Sequence, residues 1–492
     1  MSRGYYIFAY VLLLLLILVS ESFSQDSLWA ASYGGLYNDC GNSSVQMLNG
    51  DILILGSTYS FGAGEHDMYL VKTDSTGNLI WQKSFGGTGI EYGYDIVLTS
   101  DNGFALVGST TSYGAGKRDI YLVKLDESGN ELWSKTFGGI ENDYGRSIRE
   151  CGDNGLIICG TTSSYGSNTD IYLIKTNSSG DSLWAKTYGG SAGETGASIR
   201  ETSDNGFAIV GNTGSYGVGY CSIYLVRTDS LGDTLWTSSY GNDRADLGNT
   251  IEITNDKGYI IGGATVEDGD FYYNAYAVKL DSLGTVEWDS TYGGNYEDQF
   301  YSIQLTPDGG YIYGGSTEGS GSRKIDMFVI KVDGGGNTEW NAQYGGNQSD
   351  YCNSIIPDGG NDFHAIGYTY SSTNGGSDVY IVKLQGSAST PVEETLPLSD
   401  NYYELSQNYP NPFNASTTIS FTLPRASNYT LTIYNILGQA IRQWEDYIFS
   451  PGTYSIIWDG QNGYGENAAT GIYIYRLQTE KYSEVKQMIL IK

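Results

Sequence analysis

Between residues 28 and 384 the apolar positions fall in short runs divided by polar turns, and one order of runs keeps returning. A single unit reads EYGYDIVLTSDNGFALVGSTTSYGAGKRDIYLVKLDESGNELWSKTFGG. It contains four strand-like segments, YDIVLT, FALVGST, DIYLVKL and ELWSKTF. The turns SDNG and DESGN separate the first pair and the last pair, and a loop of roughly ten residues separates the middle two. Turns of this kind need a residue at φ > 0, which Asn and Gly supply at low cost, so the pattern predicts two hairpins per unit.

The units are evenly spaced. Trp29, Trp81, Trp133, Trp184, Trp236, Trp288 and Trp340 lie 52, 52, 51, 52, 52 and 52 residues apart. A fixed period of this size announces a repeat architecture. Four strands in each of seven units predict an all-β fold, a seven-bladed β-propeller. A β-helix would need shorter rungs, and a string of sandwiches would need roughly 90–100 residues per domain. The first tryptophan strand, 28–33, precedes the other three types, and the last three types end without one. The N-terminal strand is therefore expected to complete the last blade and remove the open edges.

A glycine closes the second strand of each unit: Gly56, Gly108, Gly160, Gly211, Gly263, Gly315 and Gly367. An aromatic follows in the third strand, at Tyr69, Tyr121, Tyr172, Tyr224, Tyr276, Phe328 and Tyr380, and then the tryptophan. This order resembles kelch repeats, whose period of about 50 residues is similar. Most units carry one glycine where kelch repeats carry two. The resemblance implies a propeller over 28–384 and leaves function open. The tryptophans and third-strand aromatics are read as core that docks blade on blade.

Charge narrows the function classes. Lys+Arg number 26 against 56 Asp+Glu, a net charge of −30. From residue 387 onward there are 10 acids and 6 bases, so the repeats hold most of the excess. Nucleic acid and anionic membrane surfaces need a basic face and are excluded as partners. Cationic partners or neutral glycans are favoured. There are only 2 His. His364 stands where other units carry Leu53, Ala105, Ile157 and Ala208, and is read as core. His66 stands in a loop beside Asp67. No HExxH or Walker loop is present, and neither histidine sits in a copper-oxidase-like motif.

Ten residues after each tryptophan comes an acid: Asp39, Glu91, Asp143, Glu194, Asp246, Asp298 and Asp350. These predict seven carboxylates near one mouth of a central channel. Two readings stand: each accepts backbone N–H bonds from its own connection, or together they hold a cation, Ca²⁺ above all. Four residues further on come Ser43, Asp95, Ser147, Ser198, Thr250, Ser302 and Ser354, small polar groups suited to a wet channel. The longer loops lie on the face after the tryptophan strand, the better binding face. One of them carries Phe61, Tyr113, Tyr165 and Tyr216, an arc of aromatics for a glycan or a protein, or rings packed on their own loops. Of five cysteines, Cys151 and Cys159 flank one hairpin turn, and Cys40 and Cys352 begin inner strands that closure makes neighbours. Each pair is a candidate disulfide, with the reduced state the alternative.

The two ends read as addresses. Residues 1–24 have Arg3, an apolar stretch to Val19, and small residues before Gln25, a signal peptide too short to serve as a membrane span. Residues 387–405 read as a linker between the propeller at 25–386 and a β-sandwich at 406–492. The last segment carries the run Asn408-Tyr409-Pro410-Asn411-Pro412-Phe413-Asn414, then Tyr434-Asn435-Ile436-Leu437-Gly438, Gly452-Thr453-Tyr454, Trp458-Asp459-Gly460 and Gly471-Ile472-Tyr473. It resembles the C-terminal sorting domain of type IX secretion, in the immunoglobulin-like form related to flagellar hook-capping proteins. The resemblance implies passage through the periplasm and recognition by that secretion machinery. The chain is expected to be a secreted or surface binding protein for a protein or glycan. A glycan hydrolase or lyase using channel-mouth carboxylates is one alternative, and an adhesion or display protein is the other.

Overall fold

The computed structural model describes residues 27–386, apart from 268–270, 295, 319–323, 347, 360–361 and 372–374. In the C-terminal part it describes 404–405, 408, 411, 413–414, 416–423, 427–448, 452–463, 467–479 and 482–491. The signal peptide and the linker expected from the sequence, except Glu404–Leu405, lie outside the described residues. Every regular element is a β-strand, and no helix among the described residues is long and apolar enough to cross a membrane. The chain divides into two compact units, on either side of Ala388 and Ser389.

The first unit contains seven four-stranded antiparallel sheets. Their first strands, called inner strands here, are Asp39–Gln46, Glu91–Leu98, Asp143–Glu150, Glu194–Glu201, Asp246–Ile253, Asp298–Leu305 and Asp350–Pro357; the sheets take numbers 1 to 7 in that order. In sheets 1 to 6 the four strands follow one another in sequence, and in sheet 7 the outermost strand is Ser27–Tyr33, paired antiparallel with Asp378–Leu384. The inner strands of sheets 7 and 1 also touch, through Asn353 Nδ2 donating to the Gly41 carbonyl at 2.9 Å and a Ser44–Ser354 hydroxyl bond at 2.9 Å.

The middle two strands of each sheet are almost wholly buried, which explains their continuous apolar runs. They pack sheet on sheet: Leu106 and Tyr121 of sheet 2 share a cluster with Leu53 and Leu70 of sheet 1. The first hairpin turns use left-handed residues as expected, Asn102, Asn154 and Asn205 at φ 61–63°. Lys257 takes the same conformation at φ 67° without the steric freedom of glycine. A cation in the third strand reaches the aspartate of that turn in all seven sheets: Lys72–Asp51, Lys124–Asp101, Lys175–Asp153, Arg227–Asp204, Lys279–Asp256, Lys331–Asp308 and Lys383–Asp358. The buried stem covers apolar surface while its charge meets a partner at the rim.

The repeated glycine has a steric cause. It lies within the second strand, not at its end, because that strand runs two residues further. A Cβ on Gly56, Gly108, Gly160, Gly211, Gly263, Gly315 or Gly367 would meet an inner-strand carbonyl oxygen at 1.7–1.9 Å. Backbone cannot move aside there. The tryptophans also differ from the expected core role. Six of the seven are only half-buried, and Trp340 alone is buried. Trp29, Trp81, Trp133, Trp184, Trp236 and Trp288 each cover the left-handed turn glycine of the next sheet: Gly77, Gly129, Gly180, Gly232, Gly284 and Gly336. A flat ring fits there because no side chain stands in the way.

In the second unit, Thr417–Leu423 lies between Glu404–Leu405 and Gly452–Trp458 in one sheet. Ser427–Asn435 and Gly471–Thr479 are central in a four-stranded one. Trp458, Phe413, Phe421, Tyr475 and Met488 are buried in a single core.

Candidate functional site

All seven inner strands carry a β-bulge at one register, three residues after the acid. A bulge adds a residue to one strand and re-aims its side chain. The bulged residues are Asn42, Tyr94, Arg146, Ala197, Asn249, Tyr301 and Asn353, and all line one cavity of about 610 Å³. The small polar residues next in line, Ser43, Asp95, Ser147, Ser198, Thr250, Ser302 and Ser354, line it too. Two positions deeper lie Val45, Val97, Arg149, Arg200, Glu252, Gln304 and Ile356.

Asp95 is the exception in the Ser/Thr series, and the structure gives the reason. Its carboxylate accepts bonds from Ser43 Oγ at 2.7 Å, Ser147 Oγ at 3.1 Å, the Ile148 N–H at 2.9 Å and Arg149 Nη1 at 2.6 Å. It thus ties the inner strands of sheets 1, 2 and 3. Burial works to raise its pKa, but the Arg149 guanidinium and these donors outweigh burial and hold it low. A second pair, Arg200–Glu252, joins sheets 4 and 5. Burial and the neighbouring Arg200 lower the pKa of Arg149 despite Asp95.

At the bulge and beside it stand tyrosines and two arginines. Arg146 lies 4.2 Å from the Tyr94 ring centre and 5.7 Å from that of Tyr144. Arg118, at the start of a third strand, lies 5.2 Å from Tyr92 and 5.7 Å from Tyr144. Tyr92 and Tyr94 stack at 6.2 Å, and His66 packs between Tyr59 and Tyr92. Burial lowers the pKa of His66.

The residues singled out in the sequence are placed differently. Asp39, Glu91, Asp143, Glu194, Asp246, Asp298 and Asp350 are fully buried, and none lines the cavity. Each accepts the backbone N–H four residues earlier, from Gly35, Gly87, Gly139, Gly190, Asn242, Gly294 and Gly346, at 2.7–2.9 Å. Hydroxyls from the same sheet add to this, as Thr110 does for Glu91 and Ser371 for Asp350. The channel-mouth position expected for them is therefore corrected: they fix the connection, because a carboxylate is the acceptor those inward N–H groups need. Among the described residues no group of three or more His, Cys, Asp or Glu side chains is arranged to hold a metal ion, so the Ca²⁺ reading gains no donor set.

Five of the seven acids nonetheless have a second carboxylate close by. Asp67 meets Glu91, Asp119 meets Asp143, Asp170 meets Glu194, Asp326 meets Asp350, and Asp378 meets Asp39. Burial first, and the neighbouring acid as well, raises the pKa of Asp67, Asp119, Asp170 and Asp326, and takes Asp378 to about 6.

The loop aromatics stack on their own sheets. Phe61 lies on Tyr69, Tyr113 on Tyr121, Tyr165 on Tyr172 and Tyr216 on Tyr224, at 5.2–5.5 Å. The hydroxyls of Tyr113, Tyr165 and Tyr216 donate to the carbonyls of Gly86, Gly138 and Gly189. All five cysteines are free, which corrects both disulfide expectations. Cys151 pairs across the turn with Gly155, four residues short of Cys159, a separation of about 13 Å along a strand. Cys40 and Cys352 sit one register apart, the first opposite Ser57 and the second opposite Gly367, so they point to opposite faces. The cavity residues Tyr94, Arg146, Arg149, Arg200 and Glu252 were not singled out in the sequence. Their only signal there was irregularity, at registers where the repeats otherwise agree.

Comparison with known proteins adds the following. One curated relative, the regulatory protein FlaEY of Caulobacter vibrioides, is 24% identical over 261 residues, 45% of this chain and 27% of the relative. The chain thus spans about a quarter of that protein's length. Among solved structures, the WD40 domain of Neurospora crassa Pan2 aligns with a TM-score of 0.46 at 8% identity, over 75% of this chain and 97% of that one. The extracellular domain of a hybrid two-component system from B. thetaiotaomicron gives 0.41 at 9%, over 95% and 60%. PorZ, a surface component of the type IX secretion system of Porphyromonas gingivalis, gives 0.26 at 10%, over 95% and 86%. Residues 407–492 match the secretion system C-terminal sorting domain family. Through that type IX sorting domain the protein is marked for export to the cell surface or the extracellular space.

Proposed function

We propose that residues 27–386 form a closed seven-bladed β-propeller that works outside the cell as a binding protein, with the cavity between its inner strands as the binding site. The pairing of Ser27–Tyr33 with Asp378–Leu384 and the Asn353–Gly41 bond support closure. The sorting domain supports a place outside the cell. One observation carries the binding reading. The repeats agree at the buried acid and the strand glycine, yet differ at the bulged register, where Asn, Tyr, Arg, Ala, Asn, Tyr and Asn face one cavity. A purely structural channel has no need of such asymmetry, whereas a site for an asymmetric ligand does. A hydrolase or lyase is less well supported, because the two cavity carboxylates, Asp95 and Glu252, are each held by an arginine.

The test is a glycan and peptide array probed with the secreted protein and with its Tyr94→Ala variant. A ligand that binds the parent and is lost in the variant supports the reading. Ligands bound equally by both would move the site elsewhere, and the long-loop face carrying Phe61, Tyr113, Tyr165 and Tyr216 would be next in line.

A further inference from the structure

We infer that the cavity takes a short oligosaccharide bearing a uronic acid, with the carboxylate received by Arg146; this rests on the cavity being the binding site. The chain holds 56 acids and 26 Lys and Arg, so a cation has carboxylates to choose from. Inside the cavity Arg149 and Arg200 have taken them, in Asp95 and Glu252. Arg146 and Arg118 have no carboxylate partner among the described residues. Arg146 is exposed and lines the cavity, 4.2 Å from the Tyr94 ring centre and 5.7 Å from that of Tyr144. Arg118 is held by Ser109 Oγ at 3.1 Å and shares the Tyr144 ring. Since each guanidinium lies 5.7 Å from that ring centre, the two are at most 11.4 Å apart, so Arg118, which does not line the cavity, adds positive charge beside Arg146. A guanidinium is planar by resonance, and its N–H edge binds a carboxylate in bidentate fashion.

The remaining surroundings define the rest of the ligand. Tyr94 and Tyr301 line the cavity and suit an apolar sugar face, and Ser198, Thr250, Ser302 and the asparagines offer neutral partners to hydroxyls. A volume of about 610 Å³ suits a small ligand. The net charge of −30 opposes a long polyanion, so a short chain with one or a few carboxylates fits better.

The experiment is calorimetric titration of the secreted full-length protein with oligosaccharides of two to four sugars. The panel contains glucuronate-, galacturonate-, mannuronate- and guluronate-terminated members, each beside its neutral counterpart, a sulfated sugar of equal size and a tripeptide with a free carboxylate. At least one uronate should bind about 10- to 100-fold more tightly than its neutral counterpart. Arg146→Gln should abolish that preference without changing the melting temperature, and Arg146→Lys should restore part of it. Preference for the sulfated sugar or the peptide would overturn the assignment, as would a preference that survives in Arg146→Gln. Equal binding of acid and neutral sugars, lost in Tyr94→Ala, would refute the acid while leaving the site. No binding by any member would refute the ligand class, whereas the site itself is refuted by array ligands that bind the parent and Tyr94→Ala alike.

Discussion

Replacing Asp378 by asparagine should stabilise the repeat unit at neutral pH and leave it nearly unchanged in acid. Asp378 opens the third strand of sheet 7, and Asp39 opens the inner strand of sheet 1; the Asp39 N–H donates to the Ser377 carbonyl at 2.6 Å and draws them together. A Cβ on Gly34 would lie 2.0 Å from Asp378 Oδ1 and 2.8 Å from Asp39 Oδ2, so these oxygens are at most 4.8 Å apart. Asp39 is bonded by Thr58, Ser60 and the Gly35 N–H, donors that suit an anion. Asp378 Oδ1 is buried with no such donor among the described residues. Burial, then repulsion from Asp39, raises its pKa to about 6. Against an unfolded value of about 3.9, two units correspond to a ceiling of about 3 kcal/mol, and solvent near the loops reduces this to roughly 1–2 kcal/mol.

The sign follows from linkage. The folded pKa is raised, so between about pH 4 and 6 the folded state binds more protons than the unfolded state, and stability falls as pH rises. The penalty is complete above the folded pKa and absent below the unfolded one. Asparagine mimics the protonated acid at every pH, and Asn274 already occupies this register opposite Asp298. Urea unfolding of parent and variant from pH 4 to 8, followed by tryptophan fluorescence, reads the difference. It should be within a few tenths of a kcal/mol at pH 4 and reach about 1–2 kcal/mol at pH 8. The difference is needed because His364 tilts the parent's profile the other way. Burial, then Lys383, lowers the pKa of His364 to about 4, so its contribution is lost as pH falls from about 6.5 towards that value. A gain that is the same at all pH values, or a variant less stable at pH 8, would refute the repulsion argument.

Gly160→Ala should cost about 3 kcal/mol or more, because its methyl would sit 1.8 Å from the Tyr144 carbonyl oxygen, while Gly152→Ala, with nothing within 4 Å, should be neutral in the same melts. His364→Ile should stabilise by about 1–2 kcal/mol at pH 7, since neither ring nitrogen has a partner among the described residues and Ile312 fills the equivalent place in sheet 6; equal or lower stability by urea unfolding would contradict this. Lys257→Gly should raise stability by roughly 0.5–1 kcal/mol by relieving a left-handed backbone, measurable as a shift in the urea midpoint. Deleting 407–492 should leave the repeat unit inside the outer membrane; parental levels in the medium, measured by immunoblot, would overturn the sorting role.

The sequence alone determined whatever depends on local pattern. Alternation and turn residues marked four strands per unit, because a left-handed turn and a half-buried strand each restrict the residues that serve. The period placed Asp39 and its six counterparts in one register, and the motifs around Phe413, Trp458 and Tyr473 marked the sorting domain. Tertiary structure decided where those side chains point. A bulge shifts the strand's parity by one residue, so Arg146 and Tyr94 turn into the cavity, and no count of alternating positions before the bulge reports that. It also decided the partners. Asp95 meets Arg149 across 54 residues, and Asp378 meets Asp39 from the opposite end of the repeats. Trp29 stays half-buried because what it covers is a turn glycine of the next sheet, a contact between sheets that a single repeat does not contain.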